Sequence, residues 1–292
     1  MRAYLFPGQG TQFPGMGKEL NEKFKLAQEL FSRANEILGY SISDIMFHGS
    51  AEDLKETKYS QPAIFLYSYI QVKMLGKEFN PDMVAGHSLG EITALAVSEC
   101  LDFESALNLI AKRASAMQKV CENENTGMAV VVGLYDVIVQ DICKKIDGIV
   151  VPANYNALNQ VVISGEKKAL KAACDKLRPG AKGVINLSVS GAFHSPFMEP
   201  IVDEFRVAIE DTVFKKPICP VYQNVTARPS FEIEKIKQNL IYQLTHPVMW
   251  RHTILHMIED GANEFIEIGP GNFLRRLVKQ INSSVRIGAV PL

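Results

Sequence analysis

Neither sign of charge dominates this chain. Its 31 Lys and Arg stand against 32 Asp and Glu, a formal net charge of -1. No global basic field is available to hold nucleic acid or a membrane surface, so any charged substrate has to be met by a local site. Cysteine is sparse and scattered. The five thiols, Cys100, Cys121, Cys143, Cys174 and Cys219, are odd in number and form no C-x-x-C pair. That argues against a disulfide framework or a zinc site and for reduced core thiols in a cytosolic setting. No apolar run approaches the length of a membrane span. The opening Met1-Arg2-Ala3-Tyr4-Leu5-Phe6 is too short for a signal h-region before Pro7-Gly8 ends it. A soluble, cytoplasmic protein is the expectation. Internal repeats and low-complexity segments are missing too, as is the Gly-Lys-Ser/Thr ending that a phosphate-binding P-loop needs.

What is present organises itself around Gly86-His87-Ser88-Leu89-Gly90. The apolar run Met83-Val84-Ala85 precedes it and a helical run, Glu91 to Val97, follows. Strand, tight turn with a central serine, then helix is the context of a nucleophile elbow. Glycine on either side relieves Cβ clashes in so sharp a turn. The following helix aims its N-terminal N–H groups at the spot where an acyl-transfer oxyanion forms. On the pentapeptide alone, a glycine-rich loop with a surface serine is the competing reading.

Along the 292 residues, strands and helices alternate, as an α/β fold with a mainly parallel sheet should. Tyr4–Phe6 reads as a first strand, ending in the loop Gly8-Gln9-Gly10-Thr11-Gln12. Helices are expected over Lys18–Leu38, Pro62–Phe79 and Phe103–Val120, the last with Asp102 as N-cap. Between Gly127 and Val189 the order becomes β-α-β-β-α-β: strands Met128–Val132, Ile149–Val151, Gln160–Ser164 and Val184–Val189, helices Tyr135–Lys145 and Glu166–Leu177. That is the ferredoxin-like arrangement. Helices Ile233–Gln243, Val248–Asp260 and Phe273–Ile281, and strands Val221–Gln223, Phe265–Ile268 and Arg286–Val290, follow a helix ending near Asp211. The expected architecture is an α/β-hydrolase-like core, 1–123 and 191–292, carrying a small ferredoxin-like subdomain, 124–190.

A serine nucleophile needs a base, and six histidines are available. His252 and His256 lie four apart on a helix, a metal-compatible spacing with no third ligand, and read better as exposed helix residues. His246 precedes a proline and reads as a helix stop. His48 sits beside Gly49 in a loop. His87 is locked beside Ser88, able to line a site but poorly placed as base. His194 lies in Gly191-Ala192-Phe193-His194-Ser195-Pro196, where the small insert returns to the main body and a cleft is expected. It leads by elimination.

Taken together, Phe6-Pro7-Gly8-Gln9-Gly10, Gly86-His87-Ser88-Leu89-Gly90-Glu91, Arg113 with Met117, Gly191 to Ser195, Gln243 with Pro247 and Trp250, and Glu267-Ile268-Gly269-Pro270-Gly271 resemble the malonyl-CoA:acyl carrier protein transacylase family. This family loads malonyl groups in bacterial type II fatty-acid synthesis and is related to polyketide-synthase acyltransferase domains. The resemblance runs in order from Leu5 to Ile281. It implies Ser88 as nucleophile, His194 as its base, and Gln243 as the uncharged carbonyl that orients the histidine, no triad acid being apparent. It implies the backbone N–H groups of Gln9 and Leu89 as oxyanion hole, Arg113 as clamp for the malonyl carboxylate, and Phe193 and His87 as substrate-lining residues. Phe193 goes with unbranched malonyl over methylmalonyl, by crowding at the α-carbon. Glu91 suits the helix dipole and takes no catalytic role.

Two departures from relatives stand out: Ala157-Leu158-Asn159 where many carry proline or glycine, and Ala114 where glycine is frequent. The implied partners are malonyl-CoA and acyl carrier protein, with no nucleic acid, membrane, metal or organic cofactor, and a monomer is expected. Arg275, Arg276, Lys279 and Lys182 are candidates for a basic carrier-docking surface, or equally solvated faces. A trans-acting polyketide enzyme and a carrier-protein serine hydrolase remain alternatives.

Overall fold

A computed structural model describes residues 1–189 and 191–290. The expected small-subdomain boundary at Ser190 therefore lies outside the described residues. In chain order the strands are β1 (Arg2–Phe6), β2 (Met83–Gly86), β3 (Thr126–Val132), β4 (Val150–Ala157), β5 (Gln160–Glu166), β6 (Gly183–Asn186), β7 (Val221–Tyr222), β8 (Pro229–Ser230), β9 (Glu264–Glu267) and β10 (Arg286–Ala289). The helices are α1 (Lys18–Lys23), α2 (Lys25–Leu38), α3 (Ile42–His48), α4 (Thr57–Leu75), α5 (Leu89–Val97), α6 (Phe103–Asn123), α7 (Asp136–Lys144), α8 (Lys167–Leu177), α9 (Val202–Glu210), α10 (Ile233–Gln243), α11 (Trp250–Glu259) and α12 (Phe273–Ile281).

Two sheets result. The larger runs β10-β9-β1-β2-β7-β8, parallel except for the β7–β8 edge pair. The smaller, β4-β5-β3-β6, is antiparallel throughout. The period-two alternation of β1 sorts its side chains into two cores. Tyr4 and Phe6 pack with α2, α4, α5 and α6 on one face. Ala3 and Leu5 pack with Trp250, Ile254, Leu274 and Leu277 from α11 and α12 on the other. In β3, Ala129 and Val131 face α7 and α8, while Met128 and Val130 turn toward the main core. The small sheet thus lays its second face against the large unit.

Several expected elements shift. The helix expected over Lys18–Leu38 breaks at Phe24, whose φ of -129° and ψ of 120° are extended. Helix α3, capped by Ser41 Oγ, was not expected, and His48, expected in a loop, closes it. Helix α4 starts at Thr57, before Pro62. Proline has no N–H for the carbonyl of Lys58, and the Tyr40 hydroxyl donates to that carbonyl instead, at 3.3 Å. Asp102 caps α6 as expected, its Oδ1 accepting from Ser105 N at 2.7 Å. Strand β4 continues well past Val151, because Pro152 sits at a register shift where the ladder needs no donor from it. Leu158 and Asn159 then make a two-residue hairpin turn, with Asn159 left-handed at φ 58°. β6 stops at Asn186 rather than Val189, and the segment after Pro196 begins as a 3₁₀ turn before α9. All five cysteines are unpaired and buried. No helix among the described residues is long and apolar enough to cross a membrane.

Candidate active site

The site forms outside the carboxyl ends of β1 and β2, where open parallel sheets place their ligand crevices. Sterics explain the elbow. A Cβ on Gly86 would lie 1.8 Å from the carbonyl of Gly90, and one on Gly90 would lie 2.1 Å from the carbonyl oxygen of Phe6. Only glycine fits either position. Between them Ser88 is held at φ 53°, ψ -110°, a conformation that costs a non-glycine residue free energy and persists because its surroundings fix it. Asn224 does much of that fixing. Its Oδ1 accepts from Ser88 N at 2.7 Å and its Nδ2 donates to the Gly86 carbonyl at 2.6 Å, so one amide spans the turn.

His194 meets the serine from a different part of the chain. Its Nε2 lies 2.8 Å from Ser88 Oγ and its Nδ1 lies 2.7 Å from the backbone carbonyl of Gln243. A carbonyl only accepts, so Nδ1 carries the proton. Nε2 is then the acceptor, and the Ser88 hydroxyl donates to it. Burial, and then the charge of Arg113, push the His194 imidazole down to about 3. It is a neutral base at physiological pH. Like Ser88, His194 is left-handed, at φ 55°.

Arg113 on α6 is 1 % exposed. Its Nη2 donates to Ser88 Oγ at 3.2 Å and to the side-chain Oε1 of Gln243 at 3.0 Å, and its Nη1 donates to Gln61 Oε1 at 2.7 Å. Its Nε is buried with no partner. Burial lowers this guanidinium to about 10, so it stays charged at neutral pH. A buried cation with a spare donor, touching the elbow serine, is suited to hold an anion.

The two oxyanion candidates also converge. Leu89 is the first residue of α5, where a helix leaves its N–H groups without intrahelical partners, and Gln9 follows Gly8 in the opening loop. A Cβ on Gly8 would lie 2.4 Å from the carbonyl oxygen of His87, so glycine is what lets this loop approach the elbow. Gly10 meets nothing within 4 Å and serves through its positive φ of 104° instead. Neither the Leu89 nor the Gln9 backbone N–H donates to a backbone carbonyl among the described residues. Both residues line a cleft of about 560 Å³ that also contains Ser88, Arg113, Phe193 and His194.

An acyl transferase domain matches residues 3–289. The malonyl CoA-acyl carrier protein transacylase of Bacillus subtilis is 38% identical over 99% of this chain and 92% of its own length. That of Staphylococcus aureus is 37% identical over 99% and 94%. A solved malonyl-transacylase, in complex with its type II PKS acyl-carrier protein, superposes with a TM-score of 0.95 at 35% identity, over 99% of this chain and 95% of that one. The chain belongs to the acyl transferase domain family.

Other residues of this acyltransferase fall where the sequence reading did not put them. Glu91 stands in the first turn of α5, where it suits the helix dipole, and is fully buried beneath the elbow. Its Oε2 accepts from Asn224 N at 2.7 Å and Gln243 Nε2 at 2.9 Å, and its Oε1 accepts from Gln223 Nε2 at 3.1 Å. Burial raises its carboxyl to about 7, opposed by those three N–H donors and by Arg113. No local pattern could reveal this, since the partners of Glu91 lie more than 130 positions away. His87 points away from Ser88, as adjacency requires. Its Nε2 lies 2.9 Å from Asn156 Oδ1, and its ring packs on Trp250 and Phe273. His252 and His256 are half-buried, not exposed: the first packs edge-on to Tyr155 and the second meets the Ala227 carbonyl at 2.8 Å. His246 is exposed past the end of α10. Among the described residues no three ligating side chains gather as a metal site.

Of the basic candidates, Arg276 lines the cleft and is exposed, and Lys182 is exposed. Arg275 pairs with buried Glu267 at 3.4 Å, and Lys279 donates to the Ser283 carbonyl at 2.9 Å.

Proposed function

We propose that this acyltransferase moves a malonyl group from malonyl-CoA to the phosphopantetheine thiol of an acyl carrier protein, through a malonyl ester on Ser88. The observation that carries the reading is Arg113: a buried guanidinium, with one nitrogen unpartnered, in contact with the nucleophile. An esterase for neutral acyl groups has no use for it. A free carboxylate on the acyl chain supplies the counter-charge, through charge-assisted hydrogen bonds of about 1.5–3 kcal/mol each. The names carried by the relatives agree with this substrate and carrier.

In the first half-reaction Ser88 Oγ attacks the thioester carbon while its proton passes to His194 Nε2. The carbonyl oxygen becomes an oxyanion facing the N–H groups of Leu89 and Gln9. The intermediate collapses, the C–S bond breaks, and His194 returns the proton to the departing CoA thiolate. In the second, the carrier thiol gives its proton to His194 and attacks the ester, and Ser88 regains the proton as it leaves. The Gln243 backbone carbonyl holds His194 in one tautomer. It stabilises imidazolium less than a carboxylate would, which an activated thioester with a good leaving group tolerates. The carboxylate held by Arg113 positions the acyl group for the incoming thiol and leaves less room for water, favouring transfer over hydrolysis. Phe193, buried at the cleft, supports selection of unbranched malonyl. The proposal invokes no metal or organic cofactor, and a single chain carries every group it names.

The architecture reads as an α/β-hydrolase-like core, 1–123 and 191–292, bearing a ferredoxin-like insert, 124–190. The elbow at the carboxyl end of β2 supports the first description, and the small-sheet order β4-β5-β3-β6 the second. Service in a polyketide pathway is a second reading, favoured by the likeness to the transacylase solved with a type II PKS carrier. Intact mass after mixing with malonyl-CoA tests the proposal. A malonyl adduct on wild type that vanishes in Ser88→Ala is expected, and no adduct on wild type overturns it.

A further inference from the structure

Gln243 does two separable jobs. Its backbone carbonyl holds His194. Its side chain belongs to a different chain of contacts: Nε2 donates to Glu91 Oε2 at 2.9 Å, and Oε1 accepts from Arg113 Nη2 at 3.0 Å. An amide has one donor end and one acceptor end, so fixing one end fixes the other. Glu91 is the group that fixes it. All three of its neighbours donate to it, and a carboxylate can only accept. A Gln243 amide turned the other way would aim its NH₂ at the Arg113 guanidinium and its oxygen at the Glu91 carboxylate, unfavourable at both ends. Gln243 Nε2 also approaches the Ser88 carbonyl at 3.2 Å, which favours the same orientation.

Resting on the malonyl reading above, we propose that the Glu91 carboxylate and the Gln243 side chain are positioning residues for acyl selectivity: they hold Arg113 against the nucleophile, where it can receive the acyl carboxylate. Neither touches substrate. Gln61 Oε1 braces the other terminal nitrogen, at 2.7 Å. The guanidinium is thus held from two sides by acceptors, and its buried Nε stays free for a ligand. Above about pH 7 Glu91 also supplies negative charge beneath a cation that burial would otherwise penalise.

The test compares Ser88 acylation rates from malonyl-CoA and acetyl-CoA, by intact mass, in the full chain. Gln243→Leu keeps the backbone carbonyl for His194 and removes the amide. Malonyl acylation is expected to fall further than acetyl acylation, lowering the malonyl-to-acetyl ratio about tenfold or more, the scale of one charge-assisted hydrogen bond. A purely structural loosening of the elbow would slow both donors alike and leave the ratio unmoved. Glu91→Gln, close in shape but uncharged, serves if the leucine variant does not fold, and is expected to lower the same ratio by about threefold or more. A ratio unchanged from wild type in a folded variant overturns the inference. A wild type that accepts no malonyl, or shows no preference for it, overturns the malonyl reading instead.

Discussion

The two sheets face the same cleft and bring different things to it. From the large-sheet unit come Ser88, His194 and Arg113. Each is buried or nearly so, and each is fixed by two or more hydrogen bonds to partners distant in sequence. From the small sheet come Met128, Val130, Val162 and the amides Asn154, Asn156 and Gln160, which line the opposite wall. Of these amides, Asn156 reaches across to His87 at 2.9 Å. The groups proposed to react are over-determined, as preorganised electrostatics requires. The wall is a pleated surface whose side chains can change without moving the serine. Chemistry and fit are therefore carried by different layers of the fold, and variants on the two sides should separate them.

The largest effect should come from the large-sheet side. In Arg113→Ala the acyl carboxylate loses its counter-charge inside a buried site. The malonyl-to-acetyl ratio of Ser88 acylation, followed by intact mass, should fall about ten- to a hundredfold. Acetyl acylation should fall far less than malonyl acylation. An unmoved ratio would remove the clamp and, with it, the distinction between the two walls.

Across the cleft, Asn156→Ala removes the partner of His87 Nε2 but nothing that touches Ser88, His194 or Arg113. Burial already pushes the His87 imidazole down to about 4, so it is neutral and its hydrogen bond is an ordinary one. The loss in malonyl-CoA kcat/KM should be about three- to tenfold, the scale of one neutral hydrogen bond, and the malonyl-to-acetyl ratio should stay near wild type. A drop matching that of Arg113→Ala would show that the small sheet shares in the chemistry.

The same contrast explains what could be read from the chain in advance. Glycine-serine turns and helix caps are local, so Gly86 to Gly90, Asp102, and the helices α10 and α12 were legible. Ser88 could be singled out by its turn, and His194 because histidine is scarce, six in the chain. The course of β4 past Pro152 was hidden, because proline ordinarily marks a strand's end and only the β5 register reveals the bulge that accommodates it. The break at Phe24 carries neither glycine nor proline, so no local signal announces it. The partners of Glu91 were hidden because they lie from β7 onward, far along the chain. Asn224, which spans the elbow, sits in a loop with no motif of its own. For Glu91 and Asn224 it is contacts made across more than a hundred residues that escape sequence reading.

The smallest expected effect is an absence of change, and it probes how the large-sheet side treats its base. An exposed histidine at its usual 6.5 would be mostly protonated at about pH 5 and would lose about thirtyfold of its neutral form there. His194 is held down to about 3, first by burial and then by the nearby Arg113 charge. As pH falls through 6.5 it keeps its free Nε2, and it loses that base only on approach to 3. The rate of Ser88 modification by phenylmethylsulfonyl fluoride, which needs the base but not the carboxylate clamp, should be flat from about pH 8 to about pH 5. Stability should behave in the opposite way. Unfolded His194 and His87 bind protons below 6.5 that the native chain does not, so both contribute stability above 6.5 that is lost as pH falls toward their folded values. That histidine contribution should therefore decline across the range where the modification rate holds steady. Glu91, raised to about 7 by burial, takes up its proton in the folded chain and offsets part of the loss. The decline in melting temperature should thus be steeper in Glu91→Gln than in wild type. An acid limb near 6.5 in the modification rate would mean that His194 is solvated in the working enzyme, and that the buried, over-determined half of the site opens far more than its hydrogen bonds suggest.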